Sequence, residues 1–203
     1  EFSSVKTMDK DKAIKEGLYM VIGANVDDPY MEELKKIVKN PDAIKKNHDI
    51  GIVYSPLHGT GNIPVQRILK EIGFTNVHVV KEQELPDGEF PTVSYPNPET
   101  DEAFELGLRD AKKLNADLVL ATDPDADRLG VHVKDSEGHY HALTGNMSGS
   151  LIGEYLLSQM KEIPSDGAVV KSIVSTNMLD AIAKGYGVRL IEVLTGFKYI
   201  GQK

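Results

Sequence analysis

The spacing of apolar and polar positions along the chain predicts strands and helices in turn. Short apolar runs typical of strands occupy residues 19–24, 49–57, 76–81, 117–122, 128–134, 139–143, 168–174 and 188–194. Helical patterns occupy residues 9–18, 29–38, 63–72, 100–115, 147–161 and 177–184. In the helix over 100–115 we place Thr100 at the N-cap, and Phe104, Leu108, Ala111 and Leu114 on one face.

Two strand–helix–strand units determine the expected fold class. The first spans 49–81 and the second spans 168–194, and such units imply parallel strands with right-handed crossovers. We therefore predict an α/β fold. The pattern breaks between the units at Thr144-Gly145-Asn146, so we expect one complete domain over 1–145 and part of a second over 146–203.

Three carboxylates stand at alternate positions between two strand-like runs. They are Asp123, Asp125 and Asp127. Carboxylates this close repel one another, and a hard divalent cation with oxygen ligands makes such a cluster favourable. Because i and i+2 side chains of an extended strand lie roughly 6.7 Å apart, the segment must curl, and Pro124 and Ala126 suit a tight loop. Arg128 follows at once and is a natural clamp for phosphate, so the residues suggest a site for magnesium and phosphate.

Three other interpretations of this loop were compared. An EF-hand needs Gly at its sixth position and Glu at its twelfth, where this chain has Arg128 and Lys134. An aspartyl phosphatase uses a related pattern with the first Asp as nucleophile, but Arg128 and the third Asp fit it poorly. A solvated acidic turn without an ion stays open.

Composition narrows the class of protein. The chain has 203 residues, 23 Lys plus Arg against 31 Asp plus Glu, a net charge of −8 and no cysteine. The negative charge argues against binding to nucleic acid or to an anionic membrane surface, and the lack of cysteine excludes disulfides. No apolar run approaches the roughly 18–20 residues of a membrane span. The absence of an initiator Met and the abrupt end lead us to expect a fragment.

Other motifs have simpler interpretations. The Gly-rich turn His58–Asn62 is explained better by close packing than as a phosphate cradle, since Pro64 stands where a dinucleotide fingerprint has its third Gly. We expect His58 to be a hydrogen-bonded loop histidine. His132, His139 and His141 are interpreted as outward polar positions rather than a metal cluster. The long proline-containing connection over 82–99 is either functional or a stiff surface loop.

The segment Asp-Pro-Asp-Ala-Asp-Arg over 123–128 resembles the metal loop of the α-D-phosphohexomutases, the phosphoglucomutase/phosphomannomutase family. Its proline is similar to the phosphoglucomutase/phosphopentomutase branch. The resemblance extends from about Ile22 to Lys203 and includes the Leu-His-Gly-x-Gly turn and a closing Thr-Gly-aromatic-Lys turn. It implies α/β/α layered domains with mixed, mainly parallel sheets, here the second domain and the first half of the third.

The resemblance also implies a set of roles for individual residues. The metal ligands for one Mg²⁺ would be Asp123, Asp125 and Asp127. Arg128 would contact phosphate in the active site, Thr195 and Gly196 would bind substrate, and Lys198 would be a general acid or base. The implied reaction passes a phosphoryl group between a phosphoserine and a hexose phosphate, with glucose 1,6-bisphosphate as intermediate and activator.

The chain departs from the family pattern in one important respect. The family's serine loop, Thr-Ala-Ser-His-Asn-Pro, does not occur in these 203 residues. We therefore expect the chain alone to lack turnover and to need the missing domains of the same polypeptide, with a phosphosugar as substrate and a cytoplasmic location. A non-catalytic module that binds Mg²⁺ or phosphosugar, a structural Mg²⁺ or Ca²⁺ loop, and a mutase for pentose or mannose phosphates stay open as alternatives.

Overall fold

The chain forms two compact units in the computed structural model, which describes residues 2–203. The first unit ends at Ile37. Its elements are a 3₁₀ helix Phe2–Ser4, α1 (Lys10–Lys15) and α2 (Ala24–Lys35). Asp9 is the N-cap residue of α1, and its Oδ1 accepts the backbone N–H of Lys12 at 2.9 Å.

One sequence prediction in this first unit was wrong. No strand forms over 19–24, and residues 18–23 are exposed and lie outside any helix or strand. A strand needs a neighbour to pair with its backbone, and the described part of this unit contains no strand. The helix predicted over 29–38 is present, but it begins earlier, at Ala24, and ends at Lys35, so Pro29 lies inside α2.

The second unit, Val38–Lys203, contains all seven strands found in the described residues. The strands are β1 (Ile52–Ser55), β2 (Val77–Val79), β3 (Leu118–Thr122), β4 (Leu129–Lys134), β5 (Tyr140–Leu143), β6 (Ala168–Ser172) and β7 (Arg189–Val193). The helices are α3 (Pro41–Lys46), α4 (Asn62–Ile72), α5 (Lys81–Glu84), α6 (Asp101–Leu114), α7 (Gly145–Ser158), α8 (Met178–Gly185) and α9 (Phe197–Gly201). The helices α3, α5 and α9 were not predicted, because segments of four to six residues are too short to show a helical period.

The strands form one mixed sheet and one parallel pair. The five-stranded sheet has the order β2-β1-β3-β4-β5, in which β1 pairs in parallel with both β2 and β3. The strands β3 and β4 pair antiparallel, with Thr122 opposite Leu129. The loop with the three aspartates therefore closes the β3–β4 hairpin at the edge of the sheet where β1 also ends. The strands β6 and β7 form a separate parallel pair.

Helix α6 packs on the sheet through its small and aromatic residues. Phe104 is 2% exposed, and its ring centroid lies 4.2 Å from that of His132 on β4. A Cβ placed on Gly107 would lie 2.8 Å from Cγ1 of Val119 on β3, so only glycine allows this approach. The core cluster around them is Val53, Leu57, Val80, Val93, Ala103, Phe104, Ala111, Ala116, Val119 and Ala121.

Thr100 is the N-cap residue of α6, as predicted, although its side chain makes no capping hydrogen bond to the helix. Two other predictions about this region are corrected by the packing. Leu114 is exposed, because it lies in the last turn, beyond the edge of the buried face. His132 does not point outward: it is buried beneath α6, and its Nδ1 has no hydrogen-bond partner.

The β6–β7 pair is tied to α8 by a buried lysine. Lys171 on β6 donates to Asp180 at 2.6 Å and to Asn177 at 3.1 Å, and its Nζ lies 3.2 Å from a carboxylate oxygen of Glu192 on β7. Three acceptors match the three donors of an ammonium group. These contacts raise the pKa of Lys171, chiefly through the bond to Asp180, so the side chain stays charged although it is buried.

The predicted α/β class is confirmed, with layers of helix and mixed sheet. Strand and helix positions in the second unit agree with the sequence prediction to within a few residues at each end. Within the described residues, every helix is too short or too polar to cross a membrane.

Candidate metal centre

The loop between β3 and β4 is a tight turn that gathers the three aspartates. The backbone N–H of Ala126 donates to the carbonyl of Asp123 at 3.0 Å, which closes a four-residue turn with Pro124 in its second position. Ala126 then takes a left-handed conformation, with φ 59°. The tight loop that was predicted from the alternate spacing of the three aspartates is therefore present, and Pro124 and Ala126 form it as predicted.

Asp123 is the fixed member of the cluster. It is 1% exposed. Its Oδ1 accepts the backbone N–H of Arg128 at 3.1 Å, and its Oδ2 accepts the Nε–H of the same residue at 2.6 Å. The carboxylate therefore spans the base of the loop and is neutralised by the guanidinium, which is what a buried charge requires.

Asp125 and Asp127 complete the group at the solvent side. One carboxylate oxygen from each of the three aspartates lies within 4.8 Å of the others, and no other group of three or more such ligands occurs in residues 2–203. Mg²⁺ holds its ligands at about 2.1 Å, so oxygens sharing one ion lie about 3 to 4 Å apart. Because Asp125 and Asp127 are exposed, small side-chain rotations bring all three within that range. The donor set, all carboxylate oxygen, fits a hard cation.

The pKa values of the first and last aspartates of the loop shift in opposite directions. Burial raises the pKa of Asp123, but the side-chain and backbone hydrogen bonds from Arg128 outweigh it and hold that pKa below its ordinary value. The pKa of Asp127 is raised, first by its hydrogen bond with Asp123 and then by the charge of Asp125. A cation would relieve this repulsion, so its binding is expected to release protons and to weaken at acid pH.

Arg128→Met is expected to lower the stability of the metal-free chain most at neutral pH. The depressed pKa of Asp123 means that its ionised form adds stability above about pH 3.9, which is lost as the pH falls through the folded value. Once Asp123 is protonated, it no longer needs the guanidinium. Urea midpoints for wild type and Arg128→Met between pH 3 and 7 should therefore converge at low pH. Arg189→Met is the control, because it removes an exposed guanidinium that makes no hydrogen bond or ion pair within the described residues. A pH-independent gap for Arg128→Met would contradict this account.

A Gly-rich turn supports the loop from the side of β1. The backbone N–H of Thr60 donates to the carbonyl of Pro124 at 2.8 Å, and its Oγ1 donates to the same oxygen at 3.0 Å. The glycines of this turn were predicted to allow close packing, but the contact with the metal loop was not predicted. The contact could have been predicted from the topology, because the carboxyl ends of parallel neighbours such as β1 and β3 meet at one edge of the sheet.

The histidines take up structural roles. His58 is satisfied at both ring nitrogens, Nδ1 with the carbonyl of Leu85 at 3.0 Å and Nε2 with Oγ1 of Thr92 at 2.9 Å, as predicted for a loop histidine. His139 and His141 are exposed around Asp135, with Nε2 of His141 2.6 Å from that carboxylate. The hydrogen bond to His141 is the main reason why the pKa of Asp135 falls to about 2.

Comparison with known proteins agrees with this geometry. The family model described as "Phosphoglucomutase/phosphomannomutase, alpha/beta/alpha domain II" matches residues 28–138, and the model for alpha/beta/alpha domain III of the same proteins matches residues 144–203. The first match alone covers more than half of the chain and contains the metal loop. The chain belongs to the phosphoglucomutase/phosphomannomutase family.

Two curated members of the family show how much of such proteins this chain represents. A probable phosphomannomutase of Haemophilus influenzae is 41% identical over 91% of this chain and 36% of its own length. A phosphoglucomutase of Staphylococcus saprophyticus is 34% identical over 97% of this chain and 35% of its own length. The chain therefore spans about a third of the length of these relatives.

Solved structures of the family share the fold. A putative phosphomannomutase from Thermus thermophilus superposes with a TM-score of 0.68 at 22% identity, over 91% of this chain and 39% of that one. An N-acetylphosphoglucosamine mutase of Aspergillus fumigatus, solved in complex with GlcNAc-6P and magnesium, has a TM-score of 0.52 at 15% identity, over 81% of this chain and 35% of that one.

The remaining predicted residues of this family member lie apart from the loop in sequence. Thr195 and Gly196 lie between β7 and α9, and Gly196 has φ 129°, which favours glycine. Lys198 is exposed in the first turn of α9, and its Nζ lies 4.9 Å from the ring centroid of Tyr199. The structure thus brings Asp123, Asp125, Asp127 and Arg128 together. Among the described residues, Lys198 has no hydrogen bond or ion pair with them.

Proposed function

We propose that this chain is part of a Mg²⁺-dependent phosphosugar mutase that interconverts hexose 1-phosphate and hexose 6-phosphate, with glucose phosphate as the first substrate to test. The observation that carries the proposal is the turn at the end of β3, which holds three carboxylate oxygens within 4.8 Å of one another beside a guanidinium. Family membership supports the reaction class, since the curated relatives carry the names phosphomannomutase and phosphoglucomutase.

The three aspartates are proposed to hold the cation. Asp123 is held in place by Arg128, whereas Asp125 and Asp127 are exposed at the solvent side of the loop, where an ion would approach. The magnesium named for the Aspergillus fumigatus mutase supports this choice of metal. When bound, Mg²⁺ would neutralise charge on a phosphoryl group during transfer.

Arg128, Thr195, Gly196 and Lys198 are proposed to act on the phosphosugar. The side chain of Arg128 is 43% exposed, so the guanidinium faces both the buried Asp123 and the solvent side, where a phosphate would approach. Thr195 and Gly196 would bind substrate. The exposed side chain of Lys198, in the turn that follows β7, would donate a proton to a sugar oxygen as the ammonium or accept one from a sugar hydroxyl as the neutral amine.

The rest of the proposal concerns what this chain works with. The phosphoserine that donates the phosphoryl group, and the parts of the cleft that choose the sugar, would come from other domains of the same cytoplasmic polypeptide. We propose residues 1–145 as the family's second domain with its lead-in and 146–203 as part of its third. Glucose 1,6-bisphosphate would be the intermediate and activator. No nucleic acid or membrane is proposed as a partner.

Phosphorus NMR tests this function. Each sample would contain Mg²⁺, glucose 1-phosphate and catalytic glucose 1,6-bisphosphate, with either the 203-residue chain or the full-length parent. We expect glucose 6-phosphate to accumulate with the parent and not with the chain alone. Failure of the parent with glucose, mannose and pentose phosphates would contradict the proposed reaction, and sustained conversion by the chain would show that it contains its own nucleophile.

Two non-catalytic alternatives predict different results for the same protein. A binding module predicts that Asp125→Asn in the parent leaves turnover unchanged. A purely structural ion predicts a large drop in melting temperature when EDTA is added to the chain. The mutase proposal predicts loss of turnover for Asp125→Asn and a small change on chelation, because Asp123 is already neutralised by Arg128 without a cation.

A further inference from the structure

The turn that follows β1 and the metal loop that follows β3 lie side by side. The strands β1 and β3 pair in parallel, with Ser55 opposite Ala121, so both chains leave the sheet at the same edge. Two hydrogen bonds join the turns, from the backbone N–H and from Oγ1 of Thr60, and both end on the carbonyl of Pro124. Pro124 occupies the corner of the turn that presents Asp125, so this carbonyl fixes the corner from outside.

The two glycines of the turn allow this close approach. A Cβ on Gly59 would lie 2.6 Å from the carbonyl oxygen of Pro124 and 2.8 Å from its carbonyl carbon. A Cβ on Gly61 would lie 2.6 Å from the Tyr54 hydroxyl and 2.8 Å from Oγ1 of Thr122. Both positions face the metal loop or the strand that leads into it, and any side chain would push the two turns apart.

The turn takes a strained shape to reach this position. Leu57 and His58 both have left-handed backbones, with φ 46° and 60°, and such conformations are unfavourable outside glycine. They are held by the Ser55 hydroxyl, which accepts from the N–H of Leu57 at 3.1 Å, and by the carbonyl of Gln83, which accepts from the N–H of His58 at 2.9 Å. Strain persists where the surroundings enforce it, which is common at functional sites.

The same contacts argue against a phosphate cradle in this turn. The backbone N–H groups of His58, Gly59 and Thr60 donate to the carbonyls of Gln83, Pro56 and Pro124, respectively. A phosphate at a Gly-rich turn needs such groups free. The three are occupied within the protein, and that of Thr60 is directed at the neighbouring metal loop.

We infer that the segment Leu57–Asn62 is a clamp that preshapes the metal loop, and that Thr60 and Gly59 are positioning residues for the cation site. The inference rests on the proposed metal-binding function. By holding the Pro124 carbonyl, the clamp keeps the turn closed before an ion arrives, so the free energy of binding is not spent on ordering the loop. Positioning groups around a metal site typically affect affinity about 10–100-fold.

Calorimetric titration with Mn²⁺ of the 203-residue chain tests the clamp. Thr60→Val removes the hydroxyl donor at an exposed position and keeps the backbone donor, and we expect a loss of affinity of about 10-fold, the lower end of that range. Thr60→Ser keeps the hydroxyl and should bind like wild type. Gly59→Ala should lose about 10- to 100-fold, whereas Gly88→Ala, with no atom within 4 Å of its Cβ, should lose nothing.

A second measurement tests the clamp even if the wild-type chain binds no metal. Failure of the wild-type chain to bind metal would contradict the proposed metal-binding function itself. In ¹H–¹⁵N spectra of the metal-free chain, the amides of residues 125–128 should shift in Thr60→Val and return toward wild type in Thr60→Ser. Unshifted loop amides in Thr60→Val would overturn the inference. So would wild-type Mn²⁺ affinity in both Thr60→Val and Gly59→Ala.

Discussion

Asp125→Asn is expected to weaken Mg²⁺ or Mn²⁺ binding at least about tenfold without changing the fold. Groups that merely support metal ligands contribute about 10–100-fold, so a direct ligand should contribute no less. Asp125 is exposed, and in the described residues its side chain makes no hydrogen bond or ion pair. The substitution therefore removes one ligand charge and little else, and calorimetric titration of the chain measures the loss.

The control for Asp125→Asn is Asp166→Asn, at an exposed aspartate in the loop before β6. It changes the net charge by the same amount and should leave affinity unchanged, because surface charges at a distance are largely screened. Melting temperatures of both variants without metal should be no lower than that of wild type. Equal affinity in Asp125→Asn and wild type would remove this residue from the ligand set.

Phe104→Ala is expected to lower the stability of the second unit by about 3–5 kcal/mol. Phe104 is 2% exposed and belongs to the core cluster between α6 and the sheet. Its ring lies against His132 and directly over Gly130, where an added Cβ would be 2.7 Å from Cζ. Truncation leaves a cavity that these rigid strands cannot close. Urea unfolding of the chain measures the change.

The same variant separates packing from metal binding. The metal loop is held by the turn closed at Ala126, by Arg128 and by the hydrogen bonds from Thr60 to Pro124, none of which involves Phe104. Phe104→Ala should therefore keep its Mn²⁺ affinity at temperatures where it is folded. Phe104→Leu, which keeps most of the volume, should cost less than about 1.5 kcal/mol. A Phe104→Ala variant as stable as wild type would contradict the assigned core.

The metal loop was predictable from sequence because its signal is local. Three carboxylates at alternate positions need a counter-charge, and Pro124 and Ala126 specify the curl that brings them together. The alternation of strands and helices likewise indicated the α/β class, since each longer element of the second unit has a period that can be read within a dozen residues. The buried ion pair between Arg128 and Asp123 was not predicted, because sequence alone does not tell which carboxylate faces the core.

Other features depended on contacts between distant parts of the chain. The apolar run over 19–24 has strand composition, yet it stays outside any strand because composition does not provide a partner. His132 alternates with outward positions on its strand, but the arrival of α6 covers it. The clamp at Thr60 required knowing that β1 and β3 are parallel neighbours, which brings residues 60 and 124 together.

Anomalous diffraction from crystals of the 203-residue chain grown with Mn²⁺ tests the central claim most directly. We predict one strong peak at the β3–β4 turn, about 2.2 Å from a carboxylate oxygen of each of Asp123, Asp125 and Asp127. The same crystals grown from Asp125→Asn should lose most of that peak. A loop that stays without a peak at saturating Mn²⁺, or a peak bound only by residues elsewhere, would contradict the assignment.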